Sequence, residues 1–268
     1  MSRRLCLRLV LVAVAVLAAL ASASGALASR QAPAPTRLDL VRFAFPTAGG
    51  ATLGVPRSAR RARPARRAEG YILLHVRAGQ NAVLRSRPGG AIVGRLADRT
   101  EFGSATVAPA LAARGHWLGI STPAVPNGRL GWIDARSAGI TLSRSRLWIE
   151  VDRAARRLRL HDARRVVLSA VVGVGSTSSP TPAGRFAVTD HLAGGRFSPA
   201  YGCCVLPLSA HQDHPPAGWA NGTRMAIHGT NDPATIGQAA SAGCVHAEEG
   251  TMRALVRRAP VGTPVLIR

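Results

Sequence analysis

A cysteine and a histidine sixteen residues apart are the two side chains of this sequence best suited to covalent chemistry. Cys244 lies in Ser241-Ala-Gly-Cys-Val-His246, and His228 in Ile227-His-Gly-Thr-Asn-Asp-Pro233. A thiol with its ordinary pKa near 8.5 is only about 3% thiolate at pH 7, so a nucleophilic cysteine needs a base or a local positive field. Imidazole supplies either. Gly243, directly before the thiol, permits close backbone approach, and the N–H groups around Gly243 and Cys244 are candidates for stabilising the oxyanion of an acyl-transfer intermediate.

Set in their surroundings, these residues point further. Ile227-His-Gly-Thr, an intervening Ile236-Gly-Gln and Ser241-x-Gly-Cys-Val together resemble the signature of the L,D-transpeptidase (YkuD-like) catalytic domain, and Thr181-Pro-Ala-Gly-Arg-Phe186 resembles that family's stretch leading into a strand. The resemblance covers about Leu147 to Arg268. It implies an acyltransferase of the cell envelope that works on peptidoglycan stem peptides without metal or organic cofactor. The cysteine attacks the carbonyl of the third residue of a donor tetrapeptide, the terminal D-Ala leaves, and the acyl group passes to the side-chain amine of a diamino acid on an acceptor stem, giving a 3-3 crosslink. Acylation by carbapenems is implied as well.

Carried over residue by residue, the resemblance makes Cys244 the nucleophile and His228 the base. The carbonyl of Gly229 orients the imidazole, and Ser241, Ala242 and Gly243 shape the oxyanion loop. Tyr201, Trp219, Thr230 and His246 are candidates for the substrate pocket by their position near the motif. Two features depart from the family pattern. His246 stands where Arg or Asn is common, which would make that contact pH-sensitive. Cys203 and Cys204 are adjacent, and a vicinal disulfide, a bridge from one of them elsewhere and two packed, reduced thiols are all open. Of the four cysteines, Cys6 lies in the leader described below, so its removal leaves an odd number.

His211, Asp213 and His214, with Cys203, Cys204, His228 and Cys244, include every ligand type zinc accepts, but no second short-spaced pair completes a metal-site pattern, so no metal is expected. With water as acceptor the same acyl-enzyme gives a stem-peptide carboxypeptidase. A non-catalytic wall-binding protein would not need the Cys/His pair and its glycines.

The elements that must position these groups read as mainly β: two β domains, a small SH3-like barrel followed by an L,D-transpeptidase-type β-sandwich with one or two short helices. Leu147–Val151 and Arg157–His161 alternate apolar and polar residues around a turn at Asp152–Arg156, as a hairpin does. Val166–Val174 reads as one longer strand and Glu248–Arg258 as a helix. Upstream, short apolar strands at Tyr71–Val76, Ala91–Leu96, His116–Ile120 and Leu130–Ile133 are separated by Pro/Gly turns. Trp117-Leu-Gly-Ile and Pro126-Asn-Gly-Arg-Leu-Gly-Trp-Ile133 resemble the end of a bacterial SH3-like domain, placed at 70–142. The catalytic domain is placed at 146–268.

Residues 1–28 have a basic start, an apolar run from Leu9 to Ala21 and a small-residue end at Ala26-Leu-Ala28, the layout of a secretory signal peptide. Export to the envelope, the wall or the exterior is expected, with an uncleaved anchor as the alternative. Residues 29–69, with nine Arg against Asp39 and Glu69, read as an extended tether with affinity for anionic wall polymers or a membrane surface. The chain carries a formal charge of +22 over 268 residues, but all 35 basic residues are Arg and no recognition motif accompanies them, so nucleic acid is not an expected partner.

Overall fold

Alternation along the chain sets the sheets. The computed structural model describes residues 70–218 and 222–268. The expected leader, the tether and Trp219 lie outside the described residues. Seven short strands come first: β1 (Tyr71–Val76), β2 (Asn81–Arg85), β3 (Ile92–Ala97), β4 (Val107–Arg114), β5 (Trp117–Ile120), β6 (Gly131–Asp134) and β7 (Ile140–Ser145). They form one sheet in the order β3-β2-β6-β5-β4-β1-β7. Leu74, Leu84, Ile120 and Ile133 lie at its core and are fully buried.

The second part opens with a hairpin of β8 (Leu147–Asp152) and β9 (Arg157–Asp162), in register from Leu147 opposite Asp162 to Asp152 opposite Arg157. Leu158 and Leu160 point inward, while Arg157 and Arg159 point toward solvent. The turn is closed by the Ala155 N–H donating to Asp152 Oδ1 at 3.0 Å, the local bond that Asp favours in turns. The apolar run that follows is two strands rather than one. β10 (Arg165–Val171) is the edge of a five-stranded sheet, and β11 (Val174–Gly175) pairs elsewhere. The break falls at Gly173, where a Cβ would lie 2.4 Å from the Thr235 carbonyl, so only glycine lets the chain pass.

The remaining strands are β12 (Gly184–Ala187), β13 (Leu192–Ala193), β14 (Cys204–His211), β15 (Arg224–His228), β16 (Ala239–Ser241), β17 (Val245–His246) and β18 (Pro264–Ile267). The helix α1 (Glu249–Arg258) lies between β17 and β18. The five-stranded sheet runs β10-β9-β8-β18-β12 and a four-stranded one β13-β14-β15-β17. Ile149 and Leu160 of the first and Leu206 and Ile227 of the second share one core with Met252 and Leu255 of α1.

The two parts keep separate cores but meet along a polar seam. Ser121 and Ser209 share a hydroxyl hydrogen bond of 2.8 Å, the Asn127 amide donates to the His211 carbonyl at 2.6 Å, and Arg224 pairs with Glu101 at 2.6 Å. A cavity of about 330 Å³ opens on this seam, lined by residues of both parts including Arg95, Thr122 and Arg224.

Candidate active site

Strand pairing brings the motif residues together. β15 and β17 are parallel, with Ile227 opposite Val245 and His228 opposite His246. A parallel pair needs a long crossover between its strands, which accounts for the sixteen-residue spacing of His228 and Cys244. Successive side chains alternate between faces, so Ile227 and Val245 go into the core while His228 and His246 share the other face. Cys244 directly precedes β17, one residue before the Val245 that stands opposite Ile227, which places it level with Ala226 of β15.

His228 is buried and its orientation is fixed. Its Nδ1 lies 2.5 Å from the Gly229 carbonyl. A carbonyl only accepts, so Nδ1 carries the proton and the Nε2 lone pair is left for another partner. Burial and the neighbouring His246 hold its pKa down at about 4, against the opposing bond to Gly229. The Cys244 side chain is half-buried. Burial pushes its thiol up to about 11, only partly offset by a hydrogen bond from the Ala226 backbone. The resting pair is therefore neutral thiol and neutral imidazole near pH 7. Burial costs both charged forms, the thiolate and the imidazolium.

The loop before the thiol is pinned through its carbonyls. The Gln212 amide donates to the Ala242 carbonyl at 2.7 Å, the Thr181 hydroxyl to the Gly243 carbonyl at 2.7 Å, and the Ser241 hydroxyl to the Cys244 carbonyl at 2.6 Å. Gly243 has φ of +121°, and a Cβ there would lie 2.0 Å from Gln212 Nε2, so the position is closed to side chains. One expectation changes: the Gly243 N–H donates to Ser241 Oγ at 3.1 Å and is not open to an incoming oxyanion. Sequence reading missed Gln212, placed in what read as a polar surface loop. Its one signal was an amide next to the end of an apolar strand.

Tyr201 meets the His228 ring edge-on, centroids 4.8 Å apart, and its pKa is raised by burial first and then by Cys244. His246 lies 4.7 Å from the His228 ring, with its Nδ1 3.1 Å from the Thr235 hydroxyl. Burial lowers its pKa, opposed by Asp232. Thr230 closes a local turn, accepting from the Asp232 N–H at 3.0 Å and donating to the Asp232 carbonyl at 3.3 Å.

Cys203 and Cys204 form a vicinal disulfide, the first of the open alternatives, and Cys244 is a free thiol. The bridge abuts the base: the Gly229 N–H donates to the Cys204 carbonyl at 3.1 Å, and the Cys203 N–H donates to Glu249 Oε1 at 2.8 Å. A Cβ on Gly229 would lie 2.7 Å from that carboxylate and 3.1 Å from Gly202 Cα, which explains the glycine after the histidine. The candidate zinc ligands are not gathered. His211 Nδ1 lies 2.9 Å from the Thr223 hydroxyl and its Nε2 2.9 Å from the Pro123 carbonyl, and among the described residues no group of three or more His, Cys, Asp or Glu is placed to hold a metal.

Comparison with known proteins points to the same segment. A provisionally named L,D-transpeptidase, YkuD, of Bacillus licheniformis is 31% identical over 121 residues, as is its counterpart in Bacillus subtilis. The match covers 44% of this chain and 64% of each relative, so the chain spans less than two thirds of their length. Among solved structures, an L,D-transpeptidase from Mycobacterium smegmatis is similar at 15% identity and a TM-score of 0.37, over 61% of this chain and 89% of that one. The ertapenem-acylated catalytic domain of Enterococcus faecium L,D-transpeptidase is similar at 24% identity and a TM-score of 0.34, over 46% of this chain and 98% of that one. The segment that contains His228, Cys244 and their supporting loop, residues 146–267, matches the family model of the YkuD L,D-transpeptidase catalytic domain.

Proposed function

We propose that the protein is an exported peptidoglycan L,D-transpeptidase in which Cys244 is the nucleophile and His228 the general base. The observation that carries this reading is an oriented His228 on a strand paired with the one that directly follows the free Cys244 thiol, which ends a pinned loop. As the Cys244 sulfur bonds to the carbonyl carbon of the donor's third residue, its proton passes to His228 Nε2. The oxyanion is held by the Cys244 N–H, whose loop is fixed before substrate arrives. The carbon–nitrogen bond to D-Ala then breaks, and His228 returns the proton to the leaving amine.

In the second half the acceptor amine attacks the thioester carbonyl, gives its proton to His228, and the thiol is restored. A neutral pair suits this sequence, because the proton moves only as the new bond forms. Tyr201 and His246 flank the imidazole and form the walls of the donor site. The leader delivers the chain to the envelope. The Arg-rich tether holds it near anionic polymer or lipid, and residues 70–142 act as an SH3-like module, a reading supported by their short, mutually paired strands. Incubation of the protein with a tetrapeptide donor, with and without a diamino acid acceptor, tests the proposal. Release of D-Ala with a crosslinked product that depends on the acceptor is expected. Release with tripeptide as the sole product would make the enzyme a carboxypeptidase, and no release would refute the catalytic assignment.

A further inference from the structure

Only five residues of the chain are Phe, and two of them, Phe102 and Phe197, are 39% and 53% exposed. Single apolar side chains at a surface need no explanation. These two come from different parts of the fold and meet each other, edge to face, with centroids 6.3 Å apart. Phe197 in turn meets Tyr201 at 6.4 Å, and Tyr201 meets His228 at 4.8 Å. A ladder of rings thus leads from the imidazole outward onto a loop of the N-terminal sheet.

That loop is held in place by the catalytic part. Gly103 turns it with φ of +89°, and its N–H donates to the Thr100 carbonyl at 3.0 Å. The Thr100 hydroxyl donates to the buried Asp190 carboxylate. Glu101 pairs with Arg224 at 2.6 Å, and the Arg224 guanidinium lies 5.8 Å from the Phe102 ring centroid. Arg224 begins β15, the strand that ends at His228, so one strand positions both the base and the far end of the ladder.

We infer that Tyr201, Phe197 and Phe102 form one wall of an extended donor site, and that Phe197 and Phe102 take the sugar to which the donor stem is attached. This rests on the transpeptidase reading and deepens it. Three extended residues, the part of the stem between the reacting carbonyl and the glycan, span about 10 Å. Phe197, 6.4 Å beyond Tyr201, and Phe102, a further 6.3 Å along the ladder, bracket that reach. Aromatic faces are electron-rich and attract the polarised C–H bonds of a pyranose, as they attract other positive edges. The N-terminal module is on this account part of the active site and selects polymer-linked donors over free peptide.

The test compares acylation of the full chain by free tetrapeptide and by the same tetrapeptide carrying its disaccharide, in wild type and in Phe102→Ala, Phe197→Ala and the double variant. The double variant is expected to lose about tenfold in kcat/KM on the disaccharide donor, through KM, while free tetrapeptide stays within about twofold of wild type. Phe197→Leu, which keeps apolar bulk without a ring face, is expected to lose most of the same preference. Equal losses on both donors, or no loss on either, would overturn the inference and leave the transpeptidase reading intact. Failure of wild type to be acylated by either donor would remove both.

Discussion

The hydroxyl of Thr181 offers the sharpest check on how the nucleophile is held. It is 1% exposed, accepts the Gly175 N–H at 2.8 Å and donates to the Gly243 carbonyl at 2.7 Å. Thr181→Val keeps the shape and removes both bonds, leaving a buried N–H and a buried carbonyl without partners. Each such group costs about 1–3 kcal/mol, so the variant is expected to be about 2–6 kcal/mol less stable in urea unfolding. The Gly243 carbonyl also loses an anchor one residue before the thiol, and displacements near 1 Å there cost about a hundredfold in rate. Acylation of Cys244 by a carbapenem, followed by intact mass, should slow about 10–100-fold, and Thr181→Ser should restore most of both properties. A valine variant as stable and as fast as wild type would refute the pinned-loop account.

Acid should destabilise the fold through His228. Its pKa is held at about 4 in the folded state against 6.5 for a free imidazole, so between those values the unfolded chain binds more protons. Stability is lost as pH falls from about 6.5 toward 4, by about 3 kcal/mol; unfolding of wild type and His228→Gln at pH 7 and pH 4 should diverge by that amount, and parallel curves would contradict it. Gly243→Ala, which drives a Cβ into Gln212 Nε2 at positive φ, should abolish acylation while Gly250→Ala, with open space around it, leaves it unchanged. Alkylation of the denatured, unreduced protein should label Cys244 and spare Cys203 and Cys204, which reduction should then expose; labelling of Cys203 and Cys204 without reductant would exclude the bridge.

What could be read from the chain was whatever is encoded locally. The hairpin at Leu147–Asp162 was legible because Leu158 and Leu160 alternate with arginines around an Asp-led turn, and α1 because Met252 and Leu255 repeat at helical spacing between an acidic start and basic end. The Cys/His pair was legible through its glycines, since Gly229 and Gly243 sit where a Cβ does not fit. Three N-terminal strands escaped notice: β2 and β7 carry Asn, Arg and Ser, and β4 is rich in Ala with a Pro, none of which signals a strand. The break after β10 was hidden because Gly173 interrupts an otherwise apolar run. Gln212 and Phe102 were out of reach for a different reason: their partners are thirty or more residues away, and only the assembled sheets bring them together.

The most direct test of the central claim is intact-mass analysis of the full chain with a carbapenem, for wild type, Cys244→Ala and His228→Gln. The account predicts one adduct on wild type, none on Cys244→Ala, and formation at least about a hundredfold slower in His228→Gln, the usual contribution of a positioned base. An adduct that persists in Cys244→Ala, or a folded wild-type protein with a free Cys244 thiol that takes up none, would contradict it.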